Sequence, residues 1–587
     1  MNSADVITRS RDERALQPYA ASEHGNAYLS LNTLTRFVAL LWAYPAQLLL
    51  SAITLLIAMA ATLAIPRLLG FIVDLALIPG DRQMLRYLGG IFVCIESLRL
   101  LAGILQGILF GRLGLLVMHD LRVRLLSHVM RLKTSSLDTH STGAILSRIT
   151  YDTASLSQVF TTGIVGIVEK ALVVVGIVVV LFVTNPKLTV MALALFPVLA
   201  LGGVLMNRAL FKYTRDIREK TGAITAYITE SLNAHRILRL FDLQELQTRR
   251  FSILNDWLGK SQLRPQFLNA LFHPAMTLVN ATTVALLMWI GGGMVQRGDL
   301  PLGVLVSFIT YILWLFWPVM HFVNQWNVVV AGLAAAERVF EVLSWPTEEP
   351  ENRKSDLALP KGEIVFDHVW FAYKEPDWVL KDLSFVIRAG ERVGVVGPTG
   401  AGKTTILALM FRLYEPQRGT ILLDGVPLSE WPREQLREYI ALVQQDGALF
   451  DGSIADNVSM YGLRSLPEAS FFDHIGIRDL TRSCQDLSAG ETQWVLFARA
   501  AARAPALWIL DEAAAHLDPE LDLELHRQVS EQGRHNTVLV VAHRLSSVRD
   551  LDSVIVLHQG RLLERGSHAE LVQAGGLYAR MVATQER

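Results

Sequence analysis

Cysteine is almost missing from this chain: 587 residues contain only Cys94, inside an apolar run, and Cys484. Two such distant thiols do not make a disulfide framework, so a reducing environment is permitted for the folded protein. Charge is also sparse, at 19% of residues, and balances to a formal −1. That excludes the broad basic field nucleic-acid binding needs, and no nucleic-acid partner is expected. The opening MNSADVITRSRDER lacks an apolar core followed by a small-residue cleavage site, so it reads as a polar cytosolic tail over residues 1–36. Low-complexity segments are absent as well, and the membrane half shows no internal repeat. What is abundant is apolar: 51% hydrophobic residues and a mean hydropathy of +0.34, high for a soluble protein and pointing to membrane segments in part of the chain.

Residues 37–343 alternate long apolar runs with charged connectors, and six runs are long enough to cross a hydrocarbon core. They lie at about 45–66, 87–112, 163–184, 187–207, 270–295 and 303–326, the third and fourth joined by Thr184-Asn185-Pro186-Lys187. The connectors 113–162 and 208–269 carry many Lys and Arg residues, among them Arg122, Arg131, Lys133, Arg208 and Lys220, which places them in the cytosol. Helical spacing with little Gly or Pro predicts that membrane helices run on below the bilayer as stalks. Charges inside the runs, Glu96 with Arg99 and Glu169 with Lys170, are expected to pair or snorkel rather than meet cargo. The last run, YILWLFWPVMHFVNQW, sets Tyr311, Trp314, His321 and Gln325 on one helical side with Trp317 and Asn324 adjacent. That aromatic face with a few polar groups suits a path for an amphipathic or lipophilic cargo, and suits core packing equally well.

After a polar, proline-bearing linker at 344–358, residues 359–587 read as a soluble α/β domain. Strand-like runs such as ERVGVVG, ALWILDE and NTVLVVAH alternate with helical stretches, the pattern of a largely parallel sheet. Gly397-Pro398-Thr399-Gly400-Ala401-Gly402-Lys403-Thr404 is a P-loop between such a strand and a helix, with Thr405 following. Its backbone N–H groups can wrap phosphates, Lys403 can reach the outer ones, and Thr404 can ligate Mg²⁺, which implies ATP and Mg²⁺ as cofactors. Asp511 and Glu512 end a buried strand, where the first carboxylate can hold Mg²⁺ and the second can polarise an attacking water. His543 ends another strand, within reach of a γ-phosphate.

This order of motifs resembles the ABC transporter superfamily. Tyr373 in WFAYKEP then looks like the aromatic that stacks on adenine, Gln445 in ALVQQDGALF like the residue that senses Mg²⁺ and faces the membrane domain, and LSAGE (Ser488, Ala489, Gly490, Glu491) like the signature motif. The resemblance implies a head-to-tail dimer in which one chain's signature closes over ATP on the other's P-loop. Six spans before the nucleotide domain, SSLDTHSTGAILSRITYDT and AAERVFEVL resemble the exporter branch, nearest to bacterial multidrug-resistance-like half-transporters. The implied fold is an all-α six-helix membrane domain with long cytosolic extensions, fused to an α/β P-loop domain. The implied activity is ATP hydrolysis coupled to alternating access in the lipid bilayer of a bacterial inner membrane, with an amphipathic small molecule, lipid or peptide as cargo. A regulatory membrane protein that switches without moving cargo, or a homodimeric lipid flippase, is the alternative.

The signature departs from the family pattern. Ala489 stands for a glycine, Glu491 for the usual glutamine, and Thr492 and Trp494 where basic residues are usual. Positive charge near a bound triphosphate is thereby reduced. The segment between Gln445 and Ser488 is short, RDLTRSCQD lacks the usual Gly-Glu element, and Ala515 replaces a serine. A complete P-loop beside a modified signature suggests pairing with a different half-transporter, against a homodimer with two modified sites.

Overall fold

The computed structural model describes residues 42–348, 358–444, 447–467, 472, 477–503, 505–511, 536–542 and 544–585, without the side chains of a few helical positions. The chain divides into two compact units, Met1–Met130 with Thr142–Trp345, and Arg131–Ser141 with Pro346–Arg587. The short insertion of 131–141 into the second unit is not evident from composition, which assigns it to the membrane half.

The described part of the first unit is helical throughout. Its main helices are α1 (Pro45–Ile72), α2 (Arg82–Val129), α3 (Ile164–Thr184), α4 (Pro186–Leu193), α5 (Phe196–Asn233), α6 (Gln244–Gln296) and α7 (Leu302–Ser344). Local chemistry sets several boundaries. Asp81 caps α2 by accepting the N–H groups of Gln83 and Met84 at 2.8 and 3.0 Å. The expected tight turn ends α3 at Thr184 and restarts the chain at Pro186, with Asn185 accepting the Leu188 N–H at 3.0 Å. Among the described residues, four stretches are long and apolar enough to cross a membrane: Pro45–Leu77, Arg82–Val129, Thr142–Thr184 and Gln244–Gln296. The run expected at 187–207 falls on α4 and α5, which are separated by a turn at 194–195 just before Pro197, and the run at 303–326 falls on α7. With 53 residues, α6 is about 80 Å long, far beyond a hydrocarbon core of roughly 30 Å, so it continues outside as the stalk reading requires.

Close contacts fix helices to one another. Gly70 of α1 and Gly303 of α7 meet backbone to backbone, since a Cβ on Gly303 would lie 2.0 Å from the Gly70 carbonyl oxygen. Asp74 accepts the Gly303 N–H at 2.7 Å, satisfying one orphan donor of the first turn of α7. Farther along α7, Arg338 donates to both carboxylate oxygens of buried Asp152 at 2.9 and 2.6 Å. The charges within the apolar runs pair as expected: Arg99 with Glu96 at 2.5 Å, and Lys170 with Glu169 at 2.6 Å. Gln106 adds a longer bond to Glu169 at 3.4 Å.

The described residues of the second unit form two sheets. One is antiparallel, in the order β2 (Leu380–Ile387), β1 (Ile364–Phe371), β4 (Arg418–Leu423), β5 (Val426–Pro427). The other runs β10 (Arg561–Gly566), β9 (Ser553–His558), β3 (Arg392–Val396), β8 (Thr537–Val541), β7 (Leu507–Asp511), β6 (Ile440–Gln444), parallel except for the β10 edge. Strands buried on both faces explain the unbroken apolar runs in the sequence. Along β7, Leu507 and Ile509 enter one core while Trp508 and Leu510 enter the other, as the two-residue strand period dictates. The segment 131–141 docks on this unit through backbone bonds from Lys133 to Pro346 and from Glu348 to Arg131, at 3.1 and 2.6 Å, and carries a short helix, Thr134–Thr139.

Candidate nucleotide-binding site

The P-loop lies between β3 and the helix α8 (Lys403–Met410), at the carboxyl edge of the parallel sheet. The register brings the working ends of the strands together: Asp511 lies opposite Gln444 on one side and Val541 on the other, and Val541 opposite Val395. Ligands of open parallel sheets bind beyond this edge. Gln445 and Glu512 follow directly in the chain on Gln444 and Asp511, and His543 comes two residues after Val541. Those three, with Ala515, lie outside the described residues.

The glycine spacing has a physical reason at two positions. A Cβ on Gly397 would sit 2.3 Å from the Leu557 carbonyl oxygen, so only glycine lets the loop leave β3 against β9. Gly402 has φ +102° at the N-cap of α8, in the left-handed region where glycine carries no Cβ penalty. Pro398, Thr399 and Gly400 are exposed between them, and no described residue lies within 4 Å of a Cβ placed on Gly400. Lys403 is buried, its Nζ donating to the Gly397 carbonyl at 2.7 Å, so the ammonium lies across the loop it serves. Ala401 and Thr405 are buried with it, whereas Thr404 is exposed. Tyr373, just beyond β1, is half exposed and its hydroxyl lies 3.2 Å from the Thr405 Oγ1. Its ring is held edge-on by Phe371 and Tyr414, with centroids 4.9 and 5.0 Å away, leaving ring surface for a flat base beside the loop. Tyr414 in turn donates to Asp138 of the 131–141 segment, and burial together with that carboxylate raises its pKa.

The LSAGE motif is the start of helix α9 (Ala489–Ala501). Ser488 is its N-cap and forms a reciprocal capping box: the Ser488 Oγ accepts the Glu491 N–H at 3.2 Å, and the Glu491 carboxylate accepts the Ser488 N–H at 2.8 Å. Ala489 is the first helical residue and is absent from the positive-φ positions, so its methyl meets no backbone conflict. Glu491 also takes a 2.6 Å ion pair from Arg482. The cap bonds from Ser488 and the Arg482 guanidinium hold the Glu491 carboxyl below the ordinary range, so it is ionised at neutral pH.

Trp494 corrects one sequence expectation. It stands where a cation was expected, but it is 3% exposed and packs edge-on to Phe497, which lies tilted against Trp508 of β7. Its place in the helix is a core position, and through Phe497 it joins the core that packs α9 against the strand bearing Asp511.

Three residues that composition and motif left unremarked join this site. Gln493, buried on α9, donates to the Gln444 carbonyl at 3.0 Å and so holds the strand end that precedes Gln445. Tyr414 supports Tyr373. Arg482 neutralises Glu491, and only the opposite charges nine positions apart could have hinted at the pair. In the first unit, Tyr311 is buried and its hydroxyl bonds the Leu63 carbonyl, with Trp314 packed against the same core. This places Tyr311 in helix packing. Gln325 touches α3 at Gly166, His321 is half-buried, and the side chains of Trp317 and Asn324 lie outside the description.

Comparison with known proteins fits both halves. Residues 48–319 match the ABC transporter transmembrane region, and residues 380–515 match the ABC transporter family. The chain is 34% identical to a probable multidrug resistance ABC transporter ATP-binding/permease protein, YheH, of Bacillus subtilis, over 80% of this chain and 72% of that one. It is 31% identical to an ATP-dependent lipid A-core flippase of Chromobacterium violaceum, over 94% and 97%. A solved bacterial Atm1-family ABC exporter with ATP bound superposes with a TM-score of 0.76 at 25% identity, covering 92% of this chain and 98% of that one. Helical membrane unit, P-loop sheet and these relatives agree, and the chain belongs to the ABC transporter family, as an exporter that couples ATP hydrolysis to transport.

Proposed function

We propose that this exporter moves an amphipathic or lipophilic cargo from the cytosol or inner leaflet outward, through six membrane crossings, with both nucleotide-binding units on the cytosolic side of a bacterial inner membrane. Two chains share each ATP. The P-loop, Asp511, Glu512 and His543 of one chain work against the Ser488–Glu491 motif of the other, Glu512 polarising the attacking water. Oxygen donors at Thr404 and Asp511, with Gln445, suit a hard cation, and the exposure of Thr404 fits that role. Bound Mg²⁺ would neutralise charge on the outer phosphates. Lys403 holds the loop, and Tyr373 offers a face to adenine. The relatives named for multidrug resistance and for a lipid A-core support an amphipathic cargo.

The observation that carries this reading is the intact start of α9: an unstrained Ala489, a complete Ser488 cap and a neutralised Glu491. These take away the local reasons to regard the signature as spoiled, and so support a dimer of two copies of this chain. A heterodimer rests on what remains, the short segment before Ser488 and Ala515. Purified chain reconstituted in vesicles tests both points. A stable dimer with ATP-driven transport of a fluorescent lipid, abolished by Glu512→Gln, is expected. A chain that hydrolyses ATP only when a second half-transporter is added overturns the homodimer, and turnover without transport of any amphipath supports a regulatory role instead.

A further inference from the structure

Glu491 places a carboxylate in the first turn of α9, beside the position where the proposed reading brings the partner's γ-phosphate. A bare negative charge there would oppose ATP-driven closure. The structure answers with Arg482. One guanidinium nitrogen donates to the Glu491 Oε1 at 2.6 Å, and another donates to the Asp486 carbonyl, so the side chain spans the loop leading into the motif. Its backbone is fixed independently of α9. The Ile454 N–H donates to the Arg482 carbonyl and the Cys484 N–H to the Gly452 carbonyl, both at 3.0 Å, and Cys484 is buried below. The cation therefore projects from a base stitched to the helix Ile454–Ser459. The Ser488 Oγ acts in the cap as an acceptor, which leaves its own proton to donate to a phosphate oxygen.

We infer that Arg482 is a positioning residue for the ATP bound by the partner chain: it cancels the charge of Glu491 and holds the 482–491 turn so that Ser488 and the α9 N-terminus meet the γ-phosphate. This rests on the reading that LSAGE closes over ATP. Arg482 thus offsets from an adjoining loop the negative charge that Glu491 brings to the motif. The pair is half exposed, at 41% for Arg482 and 33% for Glu491, so it remains accessible to the approaching phosphates.

The test uses the full-length transporter with Glu512→Gln in nanodiscs, with spin labels on the two nucleotide-binding units reporting closure as ATP is titrated. Arg482→Ala is expected to raise the half-closing ATP concentration about tenfold, the scale of one partly screened unit charge near a triphosphate. Arg482→Ala with Glu491→Gln should return to within about threefold of the parent, because the charge to be cancelled is gone. Arg482→Lys should also stay within about threefold, since a compact cation keeps the charge without the fork. No shift on Arg482→Ala, or no rescue by Glu491→Gln, overturns the proposal. Ser488→Arg separates it from the reading beneath. If that bulky cation leaves closure unchanged, LSAGE does not cover ATP and both fall; if it blocks closure while Arg482→Ala is silent, only the role of Arg482 falls.

Discussion

At the P-loop edge the critical positions are held by backbone packing, whereas at the LSAGE edge they are held by side-chain charge. Gly397 passes the Leu557 carbonyl where no Cβ fits, and Gly402 opens α8 from the left-handed region. Ser488, Glu491 and Arg482 form their turn through hydrogen bonds and an ion pair at the surface. A backbone-built site tolerates almost no substitution. A charge-built one tolerates any change that preserves the balance, and this explains how the second edge can depart from its family pattern while the first does not.

The sharpest way to break this contrast is to add one methyl at each of two P-loop glycines. At Gly397→Ala the clash is with a carbonyl on β9, which cannot turn aside as a side chain would. Overpacking of this kind costs about 3 kcal/mol, and ATP affinity measured by fluorescent-nucleotide titration should fall about a hundredfold. Gly402→Ala should be milder. Its Cβ would meet a methyl of Leu380, which can rotate, and the main cost is the φ of +102°. A left-handed alanine costs about 1–2 kcal/mol, for a loss of roughly tenfold.

How much of this was legible in the sequence follows the same division. The P-loop could be read because its backbone path demands glycines at fixed intervals, and the turn at Asn185-Pro186 could be read because cap and proline are neighbours in the chain. Trp494 could not be read, since motif position suggested a lost cation and only the packing of α9 on β7 shows a core residue. Arg482 looked like one more loop arginine until the fold brought it to Glu491. The crossing of Gly70 with Gly303, and the docking of 131–141 on the second unit, join positions more than two hundred residues apart. No local period encodes them.

At the second edge the effects should shrink. Ser488→Ala removes an N-cap worth about 1 kcal/mol together with the hydroxyl proposed to meet the phosphate, and ATP-driven closure should weaken roughly fivefold. This effect should be flat from pH 6 to 8. The folded pKa of Glu491 is depressed, so its contribution is fully present above the ordinary carboxylate value and is lost only as the pH falls through the lower folded one. A Ser488→Ala defect that changed across neutral pH would mean that another group governs the turn.

Ala489→Gly should do least, and it is the most informative about the departure that distinguishes this motif. Restoring glycine removes a methyl from an exposed position at the first residue of α9, and returns backbone freedom to the unfolded chain. Alanine outranks glycine in a helix by about 1 kcal/mol in the interior and by less at the first turn, so the helix start loosens slightly. The two consequences oppose each other: more room for the partner's phosphate, less order in the donors that meet it. Closure should therefore change by no more than about twofold in ATP titrations of the Glu512→Gln transporter. A tenfold gain would show that the methyl obstructs the phosphate, making the LSAGE edge as steric as the P-loop. A tenfold loss would show that Ala489 is needed to order the cap, with charge playing the smaller part.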